Sequence, residues 1–424
     1  DSSIGGGSVL AIAGGISGTS TLTKVGSGVL RLASDSPNFS GKLQLDAGSL
    51  EIFQIGGLGT GTRPLSFGGG VLDLTLTGAY DHSSYFSTDP NQQYKIDTYS
   101  YSTTWATPLT SVGGSLTKLG SGSLTLPASN TYSGNTNVSA GTLIVTGSLS
   151  DNSAVSVASG ATYRVDVADT VGSLAGAGSV ILNADLTTGG DSSSTTFSGD
   201  ISGANSLTKI GTGTQTLSGS SSYTGATILS DGVLSVASLA NGSSNSGIGA
   251  SSSAAANLVF DGGTLEYSGA TVGTDRNFTI NTGKTASIGV SNAANTLTIN
   301  GAAATTDGGV TKVGSGTLKL AGANNYSGAT TVSGGVLQVG WVDTTSSLGA
   351  IQAGKVRALA DGTTYRAPRS PDIPPLNDVG IAWNLNGWLG LFARTGTPMA
   401  IVRAINAEVS KLVQSEEGKA RLVA

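Results

Sequence analysis

One pattern of about 30 residues occurs four times in the chain, and it limits the folds that the chain can adopt. The cores of the four copies lie at about 21–53, 115–145, 206–236 and 309–339. Each copy alternates apolar and polar residues in short runs that are separated by glycines. Alternation of period two indicates β-strands, and the glycines mark tight corners. Strands this short cannot bury an apolar face alone, so successive segments must stack on one another.

Stacked short strands with glycine corners and no helical segments favour a parallel β-helix over a β-sandwich. We therefore predict an all-β fold for residues 1–350, namely a right-handed parallel β-helix, or solenoid. With strands about 4.8 Å apart, some 15 rungs would give a rod on the order of 70 Å long. Another all-β array is the alternative.

The repeat has a recognisable family pattern. The second copy reads Leu116-Thr-Lys-Leu-Gly-Ser-Gly-Ser-Leu-Thr-Leu126, then Tyr132-Ser-Gly134, then Gly141-Thr-Leu-Ile-Val145. The four copies resemble the passenger-associated repeats of bacterial autotransporters. In that family the repeats help a passenger fold on the cell surface and form a stalk for adhesins or, less often, enzymes. The resemblance implies an extracellular, cell-surface protein of a Gram-negative bacterium. The chain begins at Asp1 without Met or an apolar leader, which we interpret as a mature N-terminus.

The composition changes near residue 350. The first 350 residues contain 58 glycines, 12 Lys/Arg and 20 Asp/Glu, whereas the last 74 contain 7 glycines, 9 Lys/Arg and 6 Asp/Glu. This shift predicts a domain boundary, with a β-helical domain over 1–350 and a separate segment over 351–424. The segment contains Gly354–Ala360, Ser370–Pro374 and Gly387–Ala393, and it resembles the C-terminal part of the tripartite tricarboxylate transporter (Bug) solute-binding proteins.

The C-terminal segment is expected to be a small α/β unit. The runs 355–360 and 388–393 predict two short strands. Thr397 and Pro398 have the residue types of an N-cap and a first helical position, and apolar residues then recur at intervals of three or four. A second, shorter helix is predicted from Ser415. In the Bug family much of the ligand binding comes from loops near the N-terminus, which we do not find in this segment, so we assign no solute-binding residue to it.

Charge and residue usage exclude several classes of function. The net charge of −5 argues against a nucleic-acid partner, which would favour a basic face. No apolar run approaches the roughly 20 residues of a membrane-spanning helix. The chain contains no Cys and a single His, and it lacks calcium-binding nonapeptides. We predict no metal site, no cofactor and no catalytic residue.

Two sets of residues remain as candidate sites. The first is an aromatic stretch between the first two repeats, which could bind a sugar or protein surface or could instead seal the solenoid where a rung is interrupted. Its candidate binding residues are Tyr80, Tyr85, Tyr94, Tyr99, Tyr101 and Trp105. The second is the lysine that begins each repeat, which we interpret as lying on a solvated outward face. Its four members are Lys24, Lys118, Lys209 and Lys312. His82 lies in the aromatic stretch and is interpreted as a surface histidine.

These observations favour a structural or adhesive protein over an enzyme. We predict a β-helical rod that serves as the subunit of a surface fibre or as an adhesin stalk. Partners would be further copies of the chain, joined end to end, or a host or matrix surface. The alternative is an adhesin module that recognises glycan or matrix through the Tyr-rich loop 80–105.

Overall fold

A computed structural model describes residues 2–53, 55–62, 64–74, 80–339, 372–375, 378 and 399–415. The chain forms two compact units, Asp1–Gly349 and Ala350–Ala424.

The first unit is built from short strands. In chain order, the strands of its first half are β1 Ser2–Ile4, β2 Leu10–Ile12, β3 Leu22–Lys24, β4 Val29–Leu32, β5 Leu43–Leu45, β6 Ser49–Ile52, β7 Leu65–Phe67, β8 Val71–Asp73, β9 Gln93–Asp97, β10 Ser102–Thr104, β11 Ser115–Leu119, β12 Ser123–Leu126, β13 Thr136–Val138, β14 Thr142–Val145, β15 Ala154–Val157, β16 Thr162–Val165, β17 Asp169–Val171 and β18 Ser173–Gly176. The second half contains β19 Ser179–Leu182, β20 Leu186–Thr188, β21 Thr195–Phe197, β22 Asp200–Gly203, β23 Leu207–Lys209, β24 Thr214–Leu217, β25 Thr227–Leu229, β26 Val233–Val236, β27 Leu258–Phe260, β28 Thr264–Tyr267, β29 Val272–Thr274, β30 Thr279–Ile280, β31 Thr285–Val290, β32 Thr296–Ile299, β33 Gly309–Val313, β34 Thr317–Leu320, β35 Thr330–Val332 and β36 Val336–Val339. Three short 3-10 helices lie at Ile55–Leu58, Ser83–Tyr85 and Ala255–Asn257.

The strands stack in parallel, one rung of the solenoid upon the next. A 16-stranded sheet runs from β2 to β35, and two six-stranded and two four-stranded sheets complete the rungs. Within a repeat the first strand pairs with the third and the second with the fourth, as β11 with β13 and β12 with β14. Each repeat is therefore a module of two rungs. The predicted parallel β-helix is confirmed, and 16 strands about 4.8 Å apart span roughly 70 Å.

The core consists of columns of side chains that point inward from successive rungs. In the 16-stranded sheet one column runs through Leu30, Leu50, Leu72 and Ile96, all without exposed surface. Alternate residues of each strand point outward, which produces the buried and half-buried alternation of β12, β14 and β16. Period-two alternation in the sequence thus becomes a continuous apolar interior.

In the second unit the structure describes one α-helix, α1, at Met399–Gln414. This helix confirms that a helical stretch follows Pro398. Ser415 ends the described part, and the predicted second helix lies beyond it. The predicted strands at 355–360 and 388–393, with Thr397 and Pro398, also lie outside the described residues.

Candidate functional site

The aromatic stretch divides into a buried and an exposed set. Tyr94 and Trp105 have no exposed surface, and they pack with Phe67 and Phe86 in the core. The ring centroids of Phe86 and Trp105 lie 4.8 Å apart, edge to face, and those of Phe67 and Phe86 lie 5.0 Å apart. Tyr94 donates its hydroxyl hydrogen to Ser87 O at 2.8 Å. These two rings fill the interior, so the folded chain does not offer them to a ligand.

The exposed set consists of three tyrosines. Tyr80, Tyr99 and Tyr101 expose 53%, 42% and 40% of their surface, whereas Tyr85 is half-buried. Tyr99 and Tyr101 lie in the corner between β9 and β10, where Tyr99 adopts a left-handed backbone with φ of 49°. The Asp97 carboxylate accepts a hydrogen bond from Tyr99 N at 2.7 Å and holds this conformation. The corner presents two exposed tyrosine side chains, and its backbone is held by the Asp97 carboxylate.

An acidic ladder runs along the 16-stranded sheet towards this corner. Glu51, Asp73 and Asp97 are paired in register on three successive strands, and Arg31 precedes them with an ion pair to Glu51 of 2.6 Å. Burial raises the pKa of Asp73 to about 6, and the neighbouring carboxylates of Asp97 and Glu51 add to the effect, while a hydrogen bond from Ser49 opposes it. The three carboxylates lie close together because their strands are paired in register.

His82 is buried, which makes its interpretation as a surface histidine wrong. Its Nδ1 lies 3.0 Å from Tyr80 O, and burial lowers the pKa of the imidazole. The Asp81 carboxylate binds Ser83 and the backbone N–H of Ala106, at 2.8 Å in the latter case. These bonds fasten the loop to the next rung, and none of them joins the histidine to a nucleophile.

The interpretation of the repeat lysines as solvated is also wrong. Lys24, Lys118, Lys209 and Lys312 are all buried. They lie in three different sheets, on β3, β11, β23 and β33, so they do not share one side of the solenoid. Lys118 stands in a core column between Ile96 and Val138 of the adjacent rungs.

Each ammonium group binds three backbone carbonyls, and we call this group of atoms a lysine corner. Two carbonyls come from the corner that follows the lysine, and the third comes from the corner of the next rung. In the second repeat Lys118 Nζ donates to Leu119 O at 2.7 Å, Gly120 O at 2.8 Å and Ala140 O at 3.2 Å. The same set recurs around Lys24, with distances of 2.9, 2.8 and 3.1 Å.

The other two lysine corners have the same layout. Lys209 Nζ donates to Ile210 O, Gly211 O and Asp231 O at 2.6, 2.7 and 3.5 Å. Lys312 Nζ donates to Val313 O, to Gly314 O at 2.8 Å and to Gly334 O at 3.3 Å. Burial lowers the pKa of all four lysines, that of Lys118 to about 8. The Asp97 carboxylate acts in the opposite direction on Lys118.

One further buried cation was not predicted. Arg276 has almost no exposed surface and binds the backbone carbonyls of Ala240, Ser251 and Gly249 at 3.0, 3.2 and 2.9 Å. It anchors the long loop between β26 and β27. A lone arginine outside the repeats carries no sequence signal of this role.

Within the described residues there is no group of three His, Cys, Asp or Glu side chains able to hold a metal ion. In the same residues, no helix has the length and apolar character needed to cross a membrane.

Comparison with known proteins identifies the repeat. A family model for the passenger-associated-transport repeat matches residues 22–52, 116–145, 207–236 and 310–339. The four two-rung modules are passenger-associated-transport repeats. The lysine corners therefore belong to the passenger repeats themselves, and the aromatic stretch lies between the first and second of them.

Most of the chain is similar to part of a known adhesin. The chain is 39% identical over 319 residues to the adhesin BmaC autotransporter of Brucella suis biovar 1 (strain 1330). The match covers 72% of this chain and 9% of the adhesin, so the chain spans less than a tenth of the length of that relative. No solved protein structure matches the chain.

A second match concerns a shorter stretch. The chain is 33% identical over 75 residues to the UPF0065 protein in the tcbD-tcbE intergenic region of Pseudomonas sp. (strain P51). The match covers 17% of this chain and 22% of that protein, and it gives the resemblance of the C-terminal segment to Bug proteins weak support.

Proposed function

We propose that residues 1–350 form a non-catalytic, rod-like part of an autotransporter adhesin passenger on the surface of a Gram-negative bacterium. The observation that carries the proposal is the 16-stranded parallel sheet, in which each rung is covered by the next. The similarity of the chain to an autotransporter adhesin supports the surface location. On this proposal the repeats hold a binding region away from the membrane, and residues 351–424 form a separate segment.

End-to-end self-association is the finer form of this proposal, and the parallel stacking of rung upon rung supports it. Val9 and Leu10, at the start of β2, are more than 40% exposed. Strands that carry exposed apolar side chains pair readily with another chain. Stacking of one copy on the next would be a head-to-tail contact that does not close, and it would build a fibre.

Electron microscopy of the purified chain over a concentration series tests this proposal. Uniform filaments with an axial repeat near one rod length are expected, and Leu10→Asp should abolish them because the charge would be buried at the junction. Val112→Asp is the matched control, since Val112 is exposed on the side of the solenoid. Isolated rods at every concentration would exclude the fibre and leave a monomeric stalk.

A second candidate function is recognition of glycan or matrix by the exposed tyrosines. What favours it is the corner after Asp97, which exposes Tyr99 and Tyr101 and whose backbone binds the Asp97 carboxylate. Flat rings can stack on sugar faces, and a carboxylate can accept hydroxyl hydrogen bonds. Tyr94 and Trp105, which the sequence suggested as binding residues, contribute to the core instead.

Glycan-array binding by the double variant Tyr99→Ala/Tyr101→Ala tests the second candidate. Binding should fall at least tenfold, while Val167→Ala, which removes an exposed apolar side chain elsewhere, should leave it unchanged. Equal binding by the wild type and the double variant would exclude this surface. A chain that binds no glycan or matrix component at all would exclude the function.

A further inference from the structure

We propose that each lysine corner is a binding site for one ammonium group, which the repeat supplies from its own lysine to join two rungs. The site is the meeting point of two corners from adjacent rungs. Lys118 reaches Leu119 O and Gly120 O in its own rung and Ala140 O in the next. The same three-carbonyl arrangement in all four repeats shows that the site is part of the repeat.

The number of donors matches the number of acceptors. An ammonium group has three N–H donors and no acceptor, and each lysine corner presents three carbonyls. A guanidinium group is planar and cannot direct three donors to carbonyls that surround one point. The chemistry of the site therefore favours a primary ammonium group over arginine.

The glycine carbonyl of each corner depends on the lysine. Within the described residues, no backbone amide donates to the carbonyls of Gly26, Gly120, Gly211 or Gly314. These glycines have φ between 65° and 75°, a left-handed conformation found at the start of all four corners. Gly120, Gly211 and Gly314 are half-buried, and without the ammonium group their carbonyls would lose this partner, which is costly for a polar group shielded from water. Gly26 is exposed, so the cost in the first repeat is smaller.

Carbonyl dipoles supply the hydrogen bonds to the ammonium groups, and carboxylates near Lys118, Lys209 and Lys312 favour the charged form from a greater distance. No carboxylate accepts a hydrogen bond from any of the four ammonium groups in the described structure. The next-rung glycine also closes around the site, since a Cβ on Gly48 would lie 2.5 Å from Lys24 Nζ and one on Gly232 would lie 2.9 Å from Lys209 Nζ. A cage of this size and polarity suits an ammonium ion and excludes a bulky quaternary one.

The first test separates the charge from the apolar stem of the lysine. Lys118→Met keeps an unbranched side chain in the core column but removes the ammonium group. We expect its thermal midpoint to fall by several degrees, and we expect Lys118→Arg not to restore it. The control is Lys319→Met, because Lys319 is exposed on β34 and its replacement should leave the midpoint unchanged. A Lys118→Met variant as stable as the wild type would overturn the proposal.

The second test asks whether the empty site binds a free ligand. In Lys118→Ala, n-propylammonium chloride should raise the thermal midpoint and slow amide hydrogen exchange in β11 and β13. Tetramethylammonium chloride at equal concentration should do neither. Equal responses to the two salts would contradict a specific ammonium site.

The third test uses the wild-type chain and is needed if the variants do not fold. With ¹⁵N-labelled lysine Nζ, the buried lysines should give slowly exchanging NH₃⁺ signals at neutral pH. Neutral-amine signals, or only fast exchange with water at all four positions, would overturn the proposal.

Discussion

Phe39 and Leu43 occupy, in the first repeat, the two buried positions that a hydrogen-bonded tyrosine and threonine occupy in the other three. In those repeats the tyrosine hydroxyl lies 2.5, 2.7 and 2.8 Å from the threonine hydroxyl. The three hydrogen-bonded pairs are Tyr132 with Thr136, Tyr223 with Thr227 and Tyr326 with Thr330. Both hydroxyls are thus lost together in the first repeat, and no buried oxygen is left without a partner there.

This exchange predicts a thermodynamic coupling in the fourth repeat. Tyr326→Phe should destabilise the region by about 1 kcal/mol, because the Thr330 hydroxyl would lose its buried partner. The double variant Tyr326→Phe/Thr330→Val should recover most of that loss. Because a solenoid can open in units, amide hydrogen exchange in β35 is the appropriate measurement. Additive effects of the two substitutions would contradict the coupling.

Thr188→Val should stabilise the solenoid by about 1 kcal/mol. The Thr188 hydroxyl is buried and has no hydrogen-bond partner among the described residues. Valine has the same shape and already stands at the paired position of the preceding rung, Val171. Denaturant unfolding should show a higher midpoint, while Thr187→Val on the half-exposed face of the same strand should leave it unchanged. A lower midpoint for Thr188→Val would mean that the hydroxyl is satisfied.

Gly141→Ala should destabilise the second repeat far more than Gly160→Ala. Both glycines have positive φ, 62° and 80°, so either alanine costs about 1 kcal/mol of backbone strain. A Cβ on Gly141 would also lie 2.2 Å from Gly122 O and 2.5 Å from Gly120 O, whereas a Cβ on Gly160 meets no atom within 4 Å. We expect a total loss of about 3 kcal/mol for Gly141→Ala. Similar thermal midpoints for the two variants would refute close contact between the corners.

The free energy of unfolding of the solenoid should decrease as the pH rises from about 4 to about 6, because of the raised pKa of Asp169. Burial raises the pKa of this carboxyl to about 6, although hydrogen bonds from Leu149 N and Thr170 N act in the opposite direction. In that pH window the folded chain holds a proton that the unfolded chain has released, so the free energy of unfolding falls as the pH rises. Asp73 acts in the same direction.

Asp169→Asn should flatten this pH dependence, because an amide does not titrate. The measurement is the free energy of unfolding at several pH values between 4 and 7, and the difference between variant and wild type isolates Asp169. The control variant is Asp35→Asn, because Asp35 is exposed. A variant whose slope equals that of the wild type would show that Asp169 ionises normally in the folded chain.

The sequence was sufficient to predict the parallel solenoid, because period-two alternation and repeated glycine corners have few other solutions. The same alternation also indicated that the repeat lysines point inward. In Leu116-Thr117-Lys118 the leucine and lysine are two residues apart and so share the inward face of the strand. Charge led to the opposite interpretation, since lysine is rarely buried unless it is paired. The partner is a set of carbonyls that only the folded corners bring together.

The aromatic stretch shows the same limit of sequence patterns. Tyr94 and Ile96 alternate around Lys95 on β9, so the pattern places Tyr94 inside with Ile96. Trp105 follows β10 and lies in the core through its contact with Phe86, a residue 19 positions earlier, and this packing has no local signal. The exposed tyrosines likewise depend on how the corner after Asp97 is folded.

Burial of the repeat lysines also affects how the chain meets proteases. The first 350 residues contain 12 lysines and arginines. Among the described residues, five of them are buried in the solenoid, namely Lys24, Lys118, Lys209, Arg276 and Lys312. A trypsin-like enzyme must draw a basic side chain into its specificity pocket, which these five do not offer while their rungs are intact. The residues that fasten the rungs together are therefore also withheld from cleavage.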